Sequence, residues 1–345
     1  MPNKSIVFLY TELAGYIRAC MEALAKTGVD VSVFAYPVNA EAPFEFDAEN
    51  SLVHYYDRNS HETAQLNSKI LELKPDVVVC SGWIDDGYLK VLSKNKGLFK
   101  SVVALDNQMP ATVKEKLALL RAKIKFGNLF DYAWVPGPPQ VAYAKALGFS
   151  ANRIFEGFYT ADYQMLSREN WDSTEYFPKR FVYVGRYVDF KGVKDLWKAF
   201  NALDKNGWQL FCAGHGELYA GRDNSPGINH MGFVQPAELN KFVAQGGVFV
   251  LPSRKEPWGV VVHEFASAGY PLLCSNRVGS AAALLENNIN GLSFKAGSVK
   301  SLMQVMERMV HKPDKELWEM GAKSKKIASV YTIEKWVKTA LHILN

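Results

Sequence analysis

The chain has 345 residues, long for one hydrophobic core and comfortable for two domains, and its 48% hydrophobic and 22% charged content is that of a globular protein. A net charge of +5 suits anionic ligands or an anionic membrane face, and no basic, aromatic-rich stretch points to a nucleic-acid module. The four cysteines (Cys20, Cys80, Cys212 and Cys274) stand far apart, three of them in or beside apolar runs. That pattern excludes a disulfide framework and metal-ligand spacing, and it fits a reducing compartment.

In chain order, strands are predicted near 5–10, 30–36, 51–56, 76–80, 100–106, 131–135 and 152–155. Helices fall between several of these, at 13–26, 61–73, 85–94, 112–124 and 138–147. The first strand begins almost at once, with no basic-then-apolar leader, and no apolar run has the length of a bilayer span; a cytoplasmic location is expected. Periodicity lapses over 157–178, a stretch rich in Asp, Ser, Thr and Tyr. A second strand series follows at 181–184, 209–213, 228–231, 248–251, 271–275 and 291–294, then a helical stretch to about 330 and a last helix at 333–344. Alternating strands and helices predict an α/β protein with two doubly wound parallel sheets. The expected divisions are a domain at 1–157, a linker at 158–178, a domain at 179–330 and a closing segment at 331–345.

The densest chemistry lies just after the run at 247–251. Glu256 leaves that strand on a loop with Pro257, Trp258 and Gly259, and Glu264 stands eight positions later inside a helix that starts near Val260. Ligands of open α/β sheets lie at the carboxyl ends of strands, which is where Glu256 falls. Glu264, flanked by Val260, Val261, Val262 and Phe265, reads as a carboxylate in apolar company that needs a partner. Upstream, Gly185 and Arg186 leave the strand at 181–184, and Lys191 and Gly192 precede the next helix. Two cations on a strand-to-helix loop make a seat for phosphate, or are simply solvated. Gly214 and Gly216 flank His215 after the strand at 209–213, and Phe233 and Val234 follow the next one.

In the first half, three strand ends are polar. Tyr10 leads to Gly15; Ser81 leads to Trp83 and Asp85; and Asp106, Asn107 and Gln108 follow the strand at 100–106. Asp106 either orients a substrate or caps the next helix. Trp83 and Asp85 either form a stacking wall for a ligand or belong to ordinary packing. Over 112–126, Val113, Leu117, Leu120 and Ile124 mark one helical face and Lys114, Arg121 and Lys125 another, with Lys116 and Lys123 nearby. The ordinary expectation is that this apolar stripe packs on the sheet; the alternative is contact with an anionic membrane.

The ordered set Gly-Arg…Lys-Gly, Gly-x-Gly, Glu-x7-Glu and Gly279-Ser280 resembles the GT-B-fold retaining glycosyltransferases of family four, over about 181–294. The resemblance implies two facing Rossmann-like domains with a cleft between them, and a closing helix that crosses back to the first. It also implies a nucleotide-diphosphate sugar as donor, with UDP or GDP the expected carrier, no metal and no cofactor. By resemblance, Arg186 and Lys191 hold the diphosphate, Glu256 contacts the donor sugar, and Glu264 accepts from the ribose hydroxyls. Gly15, Gly185, Gly214, Gly216, Phe233, Val234, Trp258, Gly259 and Val260 complete the donor site. Asp106 stands at the reaction centre, and Trp83, Asp85, Asn107 and Gln108 meet a glycan or lipid-linked acceptor.

The chain departs from the family pattern at three places. Only Gly15 remains of a glycine-rich turn, Asp106 and Asn107 stand where many relatives have a His, and Ala283 replaces a frequent Glu. The function implied is sugar transfer with retention, in surface polysaccharide or glycoconjugate synthesis; the basic amphipathic pattern of 112–126, apart from the resemblance, suggests peripheral contact with the inner membrane face. The rivals are a GT-B-type nucleotide-sugar epimerase and a catalytically inactive nucleotide-sugar-binding subunit. No Gly-x-Gly-x-x-Gly follows the first strand, which disfavours a dinucleotide oxidoreductase.

Overall fold

The computed structural model of the chain describes residues 4–37, 51–110, 112–161 and 176–345. It divides into two compact units, one formed by Met1–Thr160 with Tyr331–Asn345 and the other by Ala161–Val330. Of the linker expected at 158–178, residues 162–175 lie outside the described residues. Phe158 and Phe177 near its ends are buried, so those ends belong to packed structure.

Unit 1 alternates strand and helix: β1 (Ser5–Leu9), α1 (Gly15–Ala25), β2 (Asp30–Ala35), β3 (His54–Asp57), α2 (Thr63–Glu72), β4 (Val77–Ser81), α3 (Asp86–Lys94), β5 (Lys100–Ala104), α4 (Val113–Phe126), β6 (Tyr132–Val135), α5 (Pro138–Leu147) and β7 (Ile154–Glu156). All the strand pairings are parallel, in the order β3-β2-β1-β4-β5-β6-β7. Every residue of β1 is buried, because helices cover both faces and a strand between two layers reads as a continuous apolar run. Side chains sort by the two-residue period. Ile6 and Phe8 join the layer holding Ile17, Met21 and Leu24 of α1, while Val7 and Leu9 join the layer holding Leu66 of α2 and Tyr88 of α3.

Unit 2 contains β8 (Arg180–Val184), α6 (Val193–Asn201), β9 (Gln209–Ala213), β10 (Ile228–Gly232), α7 (Pro236–Val243), β11 (Val248–Leu251), α8 (Val260–Ser267), β12 (Leu272–Ser275), α9 (Ala281–Leu284), β13 (Gly291–Phe294), α10 (Val299–Val310) and α11 (Asp314–Ala328). Its parallel sheet runs β10-β9-β8-β11-β12-β13. The chain winds outward from β8 to β10, then restarts at β11 and winds the other way. The switch point, where diverging loops leave room for a ligand, therefore lies at the carboxyl ends of β8 and β11. In unit 1 the corresponding point is between β1 and β4.

The final helix, α12 (Ile333–Leu344), belongs to unit 1. Its Trp336 stacks on Phe8 at 6.0 Å, lies 4.8 Å from Trp134, and donates its Nε1 hydrogen to the Phe158 carbonyl at 2.8 Å. Thr160 Oγ1 donates to the Tyr331 carbonyl at 3.1 Å, tying together the two chain segments at which unit 1 ends and resumes.

Candidate active site

The switch point of unit 2 is built from the loop after β8 and the loop after β11. After β8 come Gly185 and Arg186, then a 3₁₀ turn (Asp189–Lys191), then Gly192 and the start of α6. Lys191 reaches across to the second loop, where its Nζ meets Glu256 Oε2 at 2.5 Å; both side chains are largely buried. Ser253 Oγ donates to the same carboxylate oxygen at 3.1 Å. An ammonium carries three N–H donors, so Lys191 retains capacity toward a second anion while it holds Glu256.

The two loops are locked by a second charged contact. Arg254 donates from Nε and Nη2 to the two oxygens of Asp195 on α6, each at 2.9 Å, and from Nη1 to Asp189 at 3.0 Å. Such a two-pronged guanidinium–carboxylate pair fixes orientation as well as distance. The Arg254 backbone N–H also donates to the Phe190 carbonyl at 2.7 Å. Arg186 is exposed, with its guanidinium 5.6 Å from the Phe190 ring, and its carbonyl accepts from Tyr183 Oη at 2.8 Å.

Two glycines make this meeting of loops possible. Gly192 has φ 71°, and a side chain there would overlap the Pro252 carbonyl; Gly214 has φ 140°, and a side chain would overlap the Gly185 carbonyl. Both therefore serve the approach of protein backbone to protein backbone. Gly216 likewise sits against the backbone of Tyr187, and the exposed His215 lies with its ring 4.5 Å from that of Tyr219. Phe233 and Val234 follow β10 and are half-buried.

The loop after β12 completes the frame. Gly279 N–H donates to the Glu256 carbonyl at 3.0 Å, Ser280 N–H to the Trp258 carbonyl at 2.9 Å, and Ser280 Oγ to the Gly259 carbonyl at 3.0 Å. Ser280 is fully buried, so this small pair supports the Glu256 loop from below. Ala283 lies in α9, and Glu286 is exposed beyond it. Gly259 caps α8, and neither α8 nor α6 has a side-chain cap at its start. Their first turns thus begin at the same edge as Arg186, Lys191 and Glu256, with the positive ends of both helix dipoles.

One expectation about this stretch needs correction. Trp258 is only 3% exposed, so its ring is core and offers no face to a ligand. Glu264 is half-buried, because α8 turns Val262, His263, Phe265 and Ala266 inward and leaves Val260, Val261 and Glu264 on the other side. The enclosed polar residue is His263. Its Nδ1 accepts from Ala161 N–H at 2.8 Å and its Nε2 faces the Ala328 carbonyl at 3.2 Å, an arrangement satisfied by the neutral ring with hydrogen on Nε2. Burial lowers its pKa to about 4, opposed only in part by the Ala328 hydrogen bond.

In unit 1, Gly15 opens α1 and has open space around it. Asp106 does not cap α4. Thr112 takes that role, accepting from Glu115 N–H while the Glu115 side chain accepts from Thr112 N–H. Asp106 lies instead among tyrosines. Burial raises Tyr159 and Tyr10 far above the usual phenol range, Tyr16 and Asp106 add to the rise at both, Cys20 and Cys80 add at Tyr10 alone, and Asp106 hydrogen-bonds the Tyr159 side chain. Asn107 is exposed and Gln108 half-buried.

Trp83 and Asp85, expected to form an acceptor wall, each have close partners within unit 1. Trp83 stacks on Phe126 of α4 at 5.1 Å and 14°. Asp85 caps α3 through Gly87 and Tyr88 N–H groups, and it accepts from Tyr36 Oη and Arg58 Nε, each at 2.8 Å. Burial alone would raise its carboxyl, but Arg58 and Tyr36 hold it below the usual carboxylate range. Arg58, Asp195, Ser253 and Arg254 were not singled out in the sequence: Arg58 and Arg254 are charged residues just past strand ends, Asp195 is an ordinary first-turn acid of α6, and Ser253 carries no charge.

Cys20, Cys80, Cys212 and Cys274 are free and buried, and burial pushes the Cys212 thiol up to about 12. Among the described residues, no group of His, Cys, Asp and Glu is arranged to hold a metal, and no helix is long and apolar enough to cross a membrane.

Residues 169–327 match the sequence profile of the family described as "Glycosyl transferases group 1". An uncharacterized glycosyltransferase of Methanocaldococcus jannaschii is 30% identical over 122 residues, 33% of this chain and 31% of that protein. The chain matches about a third of the length of such curated relatives. Solved structures align along nearly all of it. Sucrose-phosphate synthase from Thermosynechococcus elongatus superposes with a TM-score of 0.75 at 16% identity, covering 99% of this chain and 98% of the other. Anabaena HepE in complex with UDP and glucose gives 0.73 at 16%, covering 99% of each. The fold is therefore GT-B, with two Rossmann-like units carrying parallel sheets of seven and six strands. The match at 169–327 places the group 1 glycosyltransferase likeness on the unit that carries the Lys191–Glu256 site.

Proposed function

We propose that the chain is a retaining, metal-independent glycosyltransferase that moves a sugar from a nucleotide-diphosphate sugar to a hydroxyl of a glycan or lipid-linked acceptor. The observation that carries this reading is the meeting of Lys191 and Glu256 at the switch point of unit 2, with Arg186 on the same loop as Lys191. The group 1 match over the same unit supports it, and HepE, with its UDP, makes a uridine nucleotide the first carrier to test.

In this reading the diphosphate lies against Arg186, Lys191 and the starts of α6 and α8. Positive charge there stabilises the phosphate oxygen as the bond from the anomeric carbon to that oxygen breaks. Glu256 engages hydroxyls of the sugar, and Glu264 the ribose. The acceptor hydroxyl forms the new bond on the face the phosphate leaves, and its proton passes to the departing phosphate oxygen. The acceptor contacts fall to Asp106, Asn107 and Gln108 of unit 1, in a pathway of surface polysaccharide or glycoconjugate synthesis.

The test is product analysis by nuclear magnetic resonance after incubation with UDP- and GDP-sugars and a panel of glycan and lipid-linked acceptors. A new glycoside with the donor's anomeric configuration supports the proposal, with Arg186→Ala slowing its formation by about 10²-fold. An isomerised nucleotide sugar would make the chain an epimerase instead. Binding without turnover would make it a carrier subunit.

A further inference from the structure

An amphipathic helix on a globular protein normally turns its apolar stripe inward. Helix α4 does the reverse. Ala122 and Phe126 are its buried residues, whereas Val113, Leu117, Leu120 and Ile124 are 73%, 52%, 54% and 80% exposed. At about 100° per residue these four fall within roughly 60° of one another, on the face opposite Ala122 and Phe126. The row runs about 16 Å along the helix. It continues at both ends: Met109, just before the helix, is 47% exposed, and Ile84 is 81% exposed on the loop whose Trp83 stacks on Phe126.

The charges are arranged about this row. By the same helical spacing, Lys114, Arg121 and Lys125 line one flank and Lys116 and Lys123 the other. The one acid of the helix, Glu115, is occupied by the cap at Thr112. An exposed apolar row of this extent calls for a cover, and the flanking cations select it. A second copy of the chain, paired row to row about a twofold axis, would set five cations against the same five. An anionic bilayer accepts both features: the apolar row enters the boundary between headgroups and acyl chains, while the long basic side chains reach outward to lipid phosphates.

We propose that α4 docks the chain on an anionic phospholipid surface through Val113, Leu117, Leu120 and Ile124. This surface is distinct from the nucleotide site, and its occupancy is read without donor or acceptor, so failure here and failure of the transferase reading are told apart.

The experiment is co-sedimentation of the full chain with vesicles of phosphatidylcholine, alone or mixed with phosphatidylglycerol, at low and high salt. Leu117→Gln/Leu120→Gln and Lys114→Gln/Arg121→Gln are compared with the unaltered protein after their unfolding temperatures are shown to match it. The expected result is pelleting with the mixed vesicles, weakened by salt, with partitioning reduced about tenfold or more in each double variant. Equal recovery with and without mixed vesicles at low salt would overturn the proposal, as would binding that both variants retain. Sedimentation velocity without lipid gives a second check: a concentration-dependent dimer lost in Leu117→Gln/Leu120→Gln, without vesicle binding, would assign the face to a second copy and overturn the lipid assignment.

Discussion

Lys191 meets Glu256 with little solvent around either side chain, and that fixes what substitution does there. Glu256→Ala leaves a largely buried ammonium without its carboxylate, which costs about 3 kcal/mol, measurable as a lower urea midpoint. Glu256→Gln keeps an acceptor for Lys191 and loses less. His263 sets a pH dependence. Its folded pKa of about 4 lies below the unfolded value of 6.5, so between these pH values the unfolded chain binds a proton that the folded chain does not. Its stabilisation is complete above about pH 6.5 and falls by about 3 kcal/mol as pH drops to about 4. Urea unfolding at stepped pH tests this; His263→Phe, which removes the hydrogen bonds to Ala161 N–H and the Ala328 carbonyl, should lower stability at neutral pH and flatten that slope. Glu256 and Lys191 were legible because a motif marks each of them. His263 was not, because its partners lie 102 and 65 residues away in sequence and no local pattern reports them.

At the scale of elements, the site depends on the β8 and β11 loops lying backbone to backbone. Gly192→Ala forces a side chain onto the Pro252 carbonyl at a positive φ and should destabilise unit 2 by about 2 kcal/mol or more. It should weaken nucleotide binding as well, because Lys191 adjoins it; calorimetry of unfolding and a nucleotide titration read the two effects. Strands and helices were legible in chain order because burial on both faces of a parallel sheet writes continuous apolar runs, as in β1, β8 and β11. What a stripe faces was not. Periodicity shows that α4 and α8 each have an apolar side, but not which neighbours occupy the other. The α4 row was expected to pack inward and is exposed. Glu264 was read as a carboxylate in apolar company and lies half-buried, while its neighbour His263 is the enclosed polar residue of α8.

At the scale of the whole molecule, α12 is distant from unit 1 in sequence and integral to it in structure. Trp336→Ala removes a ring buried against Phe8 and Trp134 and should cost about 4 kcal/mol, seen as earlier unfolding in a calorimetric scan. The two-sheet architecture followed from alternating elements. The strand order that puts Arg186, Lys191 and Glu256 at one switch point came only from the pairing of β8 with β11 across the intervening β9 and β10. The central claim is that this switch point binds the diphosphate of a nucleotide sugar, and titration calorimetry tests it most directly. Unaltered protein, Arg186→Ala and Glu264→Ala are titrated with UDP, GDP, ADP and TDP. The account predicts saturable binding of one nucleotide, weakened about tenfold or more in both variants. No binding of any of the four at millimolar concentration, or an affinity that both variants leave unchanged, would contradict it.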